Sequence, residues 1–204
     1  MLTNRRLPAE FLRHIESLEA AYLMCDDPIR QSGFSGDPER WRAERGPILQ
    51  AVEQDGEMLD LGCANGHLLW CLVEWARERG IALEPYGVDI GSRLIERAKW
   101  RFPKHRANFF VGNAWQWQPP KRFRYVYALY DCVPIGFLQE YVERIVTRMV
   151  SDGGCVILGA YGSRSQGSPP FDVGSLLAAS GFTVAGTAYG GDPPVTSFAW
   201  IDRP

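Results

Sequence analysis

The stretch that decides the fold is residues 56–75, GEMLDLGCANGHLLWCLVEW. A short apolar run at residues 58–61 ends in a turn that holds Gly62 and Gly66, and a helical pattern follows directly. Glycines let backbone N–H groups approach a ligand without an intervening Cβ, and a helix start presents a positive dipole end. The stretch therefore predicts a strand, a tight turn and a helix. Two interpretations of the turn remain, an ordinary connection and a ligand-binding loop.

Overall composition limits the class of protein. The 204 residues are 46% hydrophobic, which suits one compact domain with a sizeable core. The net charge of −2 gives no support for binding a nucleic-acid backbone, although it leaves a local basic face open. Five cysteines without a C-x-x-C pair and three widely spaced histidines argue against a disulfide scaffold and a metal site.

The sequence predicts neither a signal peptide nor a membrane span. Charged residues interrupt the apolar stretch near the N-terminus. No segment reaches the roughly 18 consecutive apolar residues that a membrane span requires. We therefore expect a cytoplasmic protein in a reducing compartment.

Strands and helices alternate from residue 57 onward. The predicted strands are residues 58–61, 84–90, 107–112, 124–130 and 155–161, followed by two closing strands at 182–189 and 196–202. The predicted helices are residues 8–24, a helix that starts at Asp37-Pro38 and is interrupted at Gly46-Pro47, and residues 66–79, 92–102, 137–150 (ended by Gly153-Gly154) and 171–181. Residues 162–170 read as a mobile loop. The alternation predicts an α/β fold, a parallel sheet with helices on both faces.

A second acid follows the second predicted strand. Asp89 ends that strand, and the carboxyl ends of parallel strands meet at the edge where ligands bind. A carboxylate there can accept hydrogen bonds from both hydroxyls of a ribose. A helix N-cap or a solvated acid is the alternative for any single aspartate. Its position after a strand that follows a glycine-rich turn favours a nucleoside-containing ligand.

The turn indicates which nucleoside. Dinucleotide-binding domains carry G-x-G-x-x-G, and the third glycine is missing here, while Asp60 precedes the first glycine by two residues. The segment MLDLGCANG resembles the first motif of class I S-adenosylmethionine-dependent methyltransferases, with Ala64 in place of the middle glycine. Asp89 matches the ribose-binding acid of that family. VGNAWQW, residues 111–117, matches the position of its G-D-A motif, with Asn113 in place of the acid.

The resemblance covers about residues 56–160, and the N-terminal part is similar to small, uncharacterised bacterial members. It implies a three-layer Rossmann-like fold with a seven-stranded, mostly parallel sheet, an antiparallel last strand, helices on both faces and an N-terminal helical extension. It also implies S-adenosylmethionine as the cofactor. Residues 1–55 would form the extension or lid, and residues 56–204 the cofactor-binding domain, as one compact unit.

The resemblance assigns site residues by position. The methionine half of the cofactor would contact Asp60, Gly62, Cys63, Asn65 and Gly66; the ribose and base would contact Asp89, Ile90, Asn113 and Ala114; and Leu129 and Tyr130 would close the pocket. Trp115 has two interpretations, adenine lining and packing. The residues Arg40, Trp41 and Arg45 are candidates for the cofactor carboxylate or for covering the pocket, with a solvated helix face as the alternative.

The segment after the fourth strand bears on the acceptor. It lacks the [DN]-P-P-[YF] tetrad of members that methylate nucleic-acid bases or protein amides. Tyr130 and Asp131 are the candidates to orient or deprotonate an acceptor, with a packing tyrosine and a capping aspartate as alternatives. The expected lid comprises residues 1–55 and 159–171, which include Tyr22, Asp26, Asp27, Arg30, Phe34, Tyr161 and Arg164.

Three functions follow from this sequence. The favoured one is a methyltransferase with a small-molecule acceptor. The sequence has no excess of basic residues, no [DN]-P-P-[YF] tetrad and no recognisable additional domain for binding a macromolecule. The alternatives are an RNA or protein methyltransferase and a cofactor-binding protein without catalysis. We expect no membrane partner, and a monomer and a homodimer both remain open.

Overall fold

Seven strands form one sheet with helices packed on both sides. The computed structural model describes residues 5–164 and 167–204. The strands are β1 (Gly56–Leu61), β2 (Leu83–Asp89), β3 (Phe109–Val111), β4 (Phe123–Leu129), β5 (Val150–Tyr161), β6 (Gly186–Gly190) and β7 (Thr196–Asp202). The α-helices are α1 (Ala9–Tyr22), α2 (Pro38–Arg45), α3 (His67–Glu78), α4 (Ser92–Arg101), α5 (Leu138–Arg148) and α6 (Val173–Ala179).

The strand order is β3-β2-β1-β4-β5-β7-β6. Strands β1 to β5 are mutually parallel, and β7 runs antiparallel to both β5 and β6. The order reverses between β1 and β4, and the carboxyl ends of strands at such a point form the usual ligand-binding crevice. The predicted seven-stranded, mostly parallel sheet with an antiparallel last strand is confirmed.

Two hydrophobic cores lie on the two faces of the sheet. In β1, Met58 belongs to the core that contains residues of α2, α3 and α4, whereas Leu59 and Leu61 belong to the core that contains residues of α5 and α6. All three side chains are buried. A strand that is apolar on both faces is typical of the centre of a parallel sheet, and this places the carboxyl end of β1 in the middle of the molecule.

The predicted start of α2 is confirmed. The Asp37 carboxylate accepts a hydrogen bond from the backbone N–H of Arg40 at 2.8 Å, and Pro38 occupies the first helical position. The helix ends at Arg45 and continues as a 3₁₀ turn, Gly46–Ala51. Proline in that turn lacks the N–H that an α-helix would need.

One predicted boundary is wrong. Helix α5 ends at Arg148 and β5 begins at Val150, so Gly153 and Gly154 lie inside a strand and do not end the helix. The pairing of β4 with β5 shifts register between Phe123 and Tyr125. At this irregularity a Cβ on Gly154 would overlap the carbonyl oxygen of Arg124. The glycine is therefore needed for strand pairing.

Two further predictions concern the C-terminal part of the chain. The first closing strand is shorter than predicted, since β6 spans only Gly186–Gly190. The loop predicted at residues 162–170 includes residues 165 and 166, which lie outside the described residues, and Ser163 and Ser168 form an isolated bridge across it. Within the described part of the chain, each helix is too short or too polar to cross a membrane.

The Gly154 contact yields a stability prediction. Gly154→Ala should lower the free energy of unfolding by about 2 kcal/mol, because the new Cβ overlaps backbone that cannot move without breaking the β4–β5 pairing. Gly136→Ala is the matched control, since a Cβ there meets no atom within 4 Å. Urea unfolding of both variants tests this, and equal effects would show that the close approach at Gly154 is unimportant.

Candidate functional site

A cavity of about 350 Å³ lies at the carboxyl ends of the strands around the reversal point and is covered by α1. Its volume is at the lower end of the range for small-ligand sites, roughly 300–1,000 Å³. The strand ends and the turns after them contribute Gly62, Ala64, Val88, Asp89, Ile90, Gly112, Asn113, Ala114, Leu129, Asp131 and Cys132. Helix α4 contributes Leu94, and the N-terminal segment contributes Phe11, His14, Ile15, Leu18, Glu19, Tyr22 and Ser32.

The turn after β1 is held against β2. The backbone N–H groups of Gly62 and Cys63 both donate to the carbonyl oxygen of Val88, at 2.8 and 3.0 Å. Gly62 has φ +88°, and Ala64 has φ +46°, a left-handed conformation that is unusual for a residue with a Cβ. The predicted tight turn is therefore present, and the alanine that replaces the middle glycine adopts a glycine-like conformation.

Asp89 connects this turn to the next strand–helix loop. Its Oδ2 accepts a hydrogen bond from Ala64 N at 2.8 Å, and its Oδ1 accepts one from Gly91 N at 2.8 Å. Burial raises the pKa of Asp89, the two backbone hydrogen bonds oppose this, and nearby Glu19 adds to the rise. Each carboxylate oxygen keeps a further lone pair, so Asp89 can still accept from hydroxyl groups in the cavity.

Asp60 is a buried acid without a partner. Its exposed fraction is 2%, and within residues 5–164 and 167–204 no group donates a hydrogen bond to its carboxyl. Desolvation, with a smaller contribution from Asp89, raises its pKa to about 8. An unpaired buried carboxyl is costly. Asp60 is not part of the cavity wall, and its carboxyl has unused hydrogen-bonding capacity.

Asn65 is occupied by protein contacts. Its side-chain N–H groups donate to the carbonyl oxygen of Pro28 and to Gln31 Oε1, both at 3.0 Å. Its Oδ1 accepts from Ser32 Oγ at 3.2 Å and from His67 N at 3.0 Å. The fully buried amide thus caps α3 and anchors the N-terminal segment. The motif resemblance assigned Asn65 to the methionine half of the cofactor, whereas the structure places its side chain outside the cavity wall.

Cys63 and Gly66 also lie outside the wall. The Cys63 side chain is buried beneath the turn, where a Cβ on Gly87 would come 2.7 Å from its Sγ. Gly66 has φ +71°, and a Cβ there would lie 3.0 Å from the Cβ of Ala98 on α4. These two residues shape the turn and the α3–α4 packing.

Asn113 and Ala114 line the cavity at the end of β3. The Asn113 Oδ1 already accepts a hydrogen bond from Trp115 N at 2.8 Å, which closes the turn. Trp115 is 1% exposed, and its Nε1–H donates to the carbonyl oxygen of Arg5 at 3.0 Å. The structure therefore places Trp115 in the core, packed edge-on against Phe137, and supports the packing interpretation over adenine lining.

The two catalytic candidates lie in different places. Tyr130 is outside the cavity wall, and its ring stacks on Phe171 with centroids 5.0 Å apart. Leu129 and Asp131 are in the wall at the carboxyl end of β4. Surrounding protein raises the pKa of the Asp131 carboxyl by desolvation. Of the two, only Asp131 reaches the cavity.

The three candidates on α2 are also outside the wall. Arg40 pairs with Glu44 at 3.4 Å, and the indole N–H of Trp41 donates to Cys71 Sγ at 3.2 Å. Arg45 is 4% exposed, and its Cζ lies 3.5 Å from the centroid of the Tyr161 ring. Its Nε and Nη1 make no hydrogen bond to any described residue. Helix α2 packs on one face of the sheet, and it is α1 that covers the cavity.

Helix α1 contains wall residues that the sequence did not predict, such as Glu19, or predicted only as part of a lid, such as Tyr22. Glu19 accepts a hydrogen bond from Arg93 N at 2.7 Å at the start of α4. Tyr22 is half-buried, and its pKa is raised by burial and then by Asp89 and Asp131. The signal was the apolar stripe of the predicted helix at 8–24. Ile15 and Leu18 of this stripe line the cavity, and Phe11 and Leu12 also pack against a core.

Apart from α1 and Ser32, the described residues of the predicted lid are not in the wall. No residue of 159–171 among those described lines the cavity, and neither do Asp26, Asp27, Arg30, Phe34, Tyr161 and Arg164. Among the described residues, no three His, Cys, Asp or Glu side chains lie together in an arrangement that could hold a metal ion.

No family model matches the sequence, and no curated protein matches it significantly. Solved structures do. The N-methyltransferase NodS from Bradyrhizobium japonicum, in complex with S-adenosyl-L-homocysteine, matches with a TM-score of 0.69 and 17% identity, over 93% of this chain and 98% of that one. A SAM-dependent methyltransferase from Aquifex aeolicus matches with a TM-score of 0.59 and 18% identity, over 91% and 98%.

The glycopeptide N-methyltransferase MtfA, also complexed with S-adenosyl-L-homocysteine, matches with a TM-score of 0.60 and 14% identity, over 84% of this chain and 92% of that one. At such identities the likeness establishes the fold. The chain has the Rossmann-like fold of S-adenosylmethionine-dependent methyltransferases, and the fold prediction is confirmed.

The buried Asp60 predicts a pH-dependent stability difference. Its folded-state pKa of about 8 lies above the ordinary value of 3.8, so the folded chain holds a proton that the unfolded chain releases between these values. Wild-type stability therefore falls as the pH rises through this window. Asp60→Asn should be more stable than wild type by about 2 kcal/mol at pH 8, with the difference shrinking towards pH 4.

Urea unfolding at pH 5 and pH 8 measures this difference. The exposed Asp202→Asn serves as the control, for which the same comparison should show little change with pH. A pH-independent difference between wild type and Asp60→Asn would mean that Asp60 is ionised in the folded protein.

Proposed function

We propose that this protein is an S-adenosylmethionine-dependent methyltransferase with a small-molecule acceptor. The observation that carries the proposal is Asp89, which bridges the turn after β1 and the loop after β2 inside the cavity. A carboxylate fixed by two backbone N–H groups at the strand-order reversal suits the two hydroxyls of a ribose. The turn itself supports the methyl donor over a dinucleotide, because no third glycine follows Gly66.

We propose that the parts of the cofactor lie at successive strand ends of the cavity wall. Asn113 and Ala114, after β3, would hold the adenine, with Ile90 flanking it. Asp89 would hold the ribose, and Gly62 would allow the methionine portion to pass close to the backbone. These assignments follow the strand order from β3 through β2 to β1.

Two buried groups outside the wall suit the charged end of the methionine portion. Asp60 is a carboxyl without a hydrogen-bond donor among the described residues. Arg45 has unused guanidinium N–H groups within the same part of the chain, and its contact with Glu44 is a 3.7 Å ion pair. Both groups lie near Tyr161, whose pKa they affect. We propose that Asp60 binds the ammonium group and Arg45 the carboxylate group of the methionine portion.

The bound cofactor supplies a methyl group on a sulfonium, which is already an activated electrophile. The protein must then hold an acceptor in line and exclude water. Helix α1 performs the exclusion, because its apolar face forms one side of the cavity. Leu129 and Asp131, at the end of β4, are placed to meet the acceptor. We propose that residues 1–55 and 56–204 act as one unit for this reason.

The cover that α1 forms over the cavity favours a small acceptor. A polymer needs an open groove, whereas α1 spans this opening and is tied to α4 through Glu19 and Arg93. The net charge of −2 and the missing tetrad point the same way.

One observation favours RNA as the second candidate. Residues 93–106 contain six Lys or Arg residues and a single acid, and Trp100 within them is 76% exposed. Basic groups beside an exposed aromatic ring are typical of single-stranded nucleic-acid binding.

Asp89→Ala tests the cofactor site. The change removes the acceptor for two backbone N–H groups and for the ribose hydroxyls, so the affinity for S-adenosylhomocysteine should fall about 100-fold. Isothermal titration calorimetry measures it. Asp202→Ala, an exposed aspartate at the end of β7, should bind as wild type does. Absence of binding to the wild-type protein would reject the cofactor assignment.

Labelled S-adenosylmethionine tests the acceptor. Incubation with separated metabolite and RNA fractions of a cell extract should place the label in the metabolite fraction, because α1 covers part of the cavity. Label in RNA would instead support the basic face of residues 93–106. Cofactor binding without transfer to any fraction would favour a non-catalytic binding protein.

A further inference from the structure

We propose that the Asp131 carboxylate, with Tyr22 beside it, forms an ammonium-binding site at the methyl-transferring end of the cavity, and that the acceptor is therefore an amine. This inference rests on the proposed function and names its substrate class. It is carried by three observations: the position of Asp131 along the sheet edge, the charges of the cavity wall, and the contacts that the other carboxylates already make.

The strand order gives the cavity a direction. Its wall includes residues at the ends of β3, β2, β1 and β4, which are adjacent in that order. With Asn113 at the nucleobase end and Asp89 at the ribose, the next strand end, Gly62, meets the sulfur region. Asp131 then follows at the end of β4 and lies beyond the sulfur. A group bound by Asp131 is thus placed on the side from which a nucleophile approaches the methyl carbon.

The cavity wall is acidic. Its described residues include the carboxylates of Glu19, Asp89 and Asp131 and no Lys or Arg. His14 is the one nitrogen base among these wall residues, and it is on α1. Such a wall attracts a cationic acceptor and repels a phosphate or carboxylate acceptor. The same charges also favour a sulfonium over its neutral sulfide product.

Only one of the three wall carboxylates is uncommitted within the described part of the chain. Glu19 accepts from Arg93 N and forms an ion pair with its side chain at 3.5 Å. Asp89 accepts from two backbone N–H groups. Asp131 has no ion pair and no hydrogen bond to another residue among residues 5–164 and 167–204. Its carboxylate is free to bind a ligand.

The groups facing Asp131 do not neutralise it. Besides Glu19 and Asp89, the titratable groups near it on the packed elements are Tyr22, Tyr130, Cys132, Tyr141 and Tyr161. All five are neutral acids whose pKa values are raised. Of these, Tyr22 and Cys132 share the cavity wall with Asp131. Tyr22 therefore offers a hydroxyl that can orient a nitrogen, and Asp131 supplies the negative charge.

An amine also suits the weak base that a carboxylate provides. The ammonium acceptor passes one proton from nitrogen to an Asp131 oxygen. The freed nitrogen lone pair forms the new N–C bond while the C–S bond of the methyl donor breaks, and the electrons of that bond stay on sulfur. The products are a methylated ammonium and a neutral sulfide, and Asp131 returns its proton to solvent. An alcohol holds its proton much more strongly, and a carboxylate is too weak to remove it.

The test uses two ligands and needs no knowledge of the acceptor. Sinefungin carries an amine-bearing carbon in place of the sulfonium centre, whereas S-adenosylhomocysteine has no group at the position of the methyl. Calorimetry should show that wild type binds sinefungin about tenfold more tightly than S-adenosylhomocysteine, because the ammonium meets Asp131. In Asp131→Asn this preference should fall to about one, and in Asp131→Glu it should be largely retained.

Asp152→Asn is the matched control. Its carboxylate is 83% exposed at the beginning of β5, on the opposite edge of the sheet, and the tenfold preference should survive. Binding of S-adenosylhomocysteine to Asp131→Asn confirms that this variant is folded. If the preference persists in Asp131→Asn, the ammonium site is rejected while the proposed function stands. If wild type binds neither ligand, the proposed function itself fails.

A second readout identifies the acceptor atom. The protein is incubated with a metabolite extract and a donor whose methyl group is labelled with carbon-13, and the products are examined by proton–carbon correlation NMR. Labelled methyl groups should be bonded to nitrogen and shift as the pH crosses the pKa of the amine. Labelled methyl groups on oxygen, sulfur or carbon would overturn the amine assignment while leaving methyltransferase activity in place.

Discussion

The Asp89 carboxylate is the interaction on which the site depends. Its two oxygens hold the N–H groups of Ala64 and Gly91, so the turns after two neighbouring strands are fixed relative to each other. The left-handed conformation of Ala64 is stabilised by this bond, because strain at a non-glycine residue persists only where its surroundings enforce it. Asp89 therefore fixes the two loops to each other and to the sheet, and its remaining lone pairs face the cavity.

Charged residues are distributed unevenly over the molecule. Asp60 and Arg45 are buried with unmet hydrogen-bonding capacity, and three further carboxylates line the cavity. Such groups lower the stability of the folded chain. Their concentration at one edge of the sheet, while the two cores remain apolar, is what binding of a charged ligand requires.

The sheet and the first contacts of the site could be predicted because they are encoded locally. The run at residues 58–61, the glycine turn and Asp89 each occupy a strand end, and a parallel sheet brings such ends to one edge. The partners of Asn65 and Trp115 could not be predicted in this way. Asn65 contacts Pro28, 37 residues away, and Trp115 contacts Arg5, 110 residues away. These contacts depend on how the N-terminal segment packs against the rest of the chain. A single sequence does not indicate which residues of the two parts will meet.

Helix α1 forms the roof of the cavity and contains no fully buried residue. Regions with so little buried surface open by local unfolding at a small fraction of the global free energy, and their amides exchange with solvent early. The roof can therefore lift while the sheet stays intact, so ligand entry and release are decoupled from the stability of the cores. The rate of ligand exchange would then be set by the undocking of one helix, which the Glu19–Arg93 contacts and the apolar side chains of α1 over the cavity oppose.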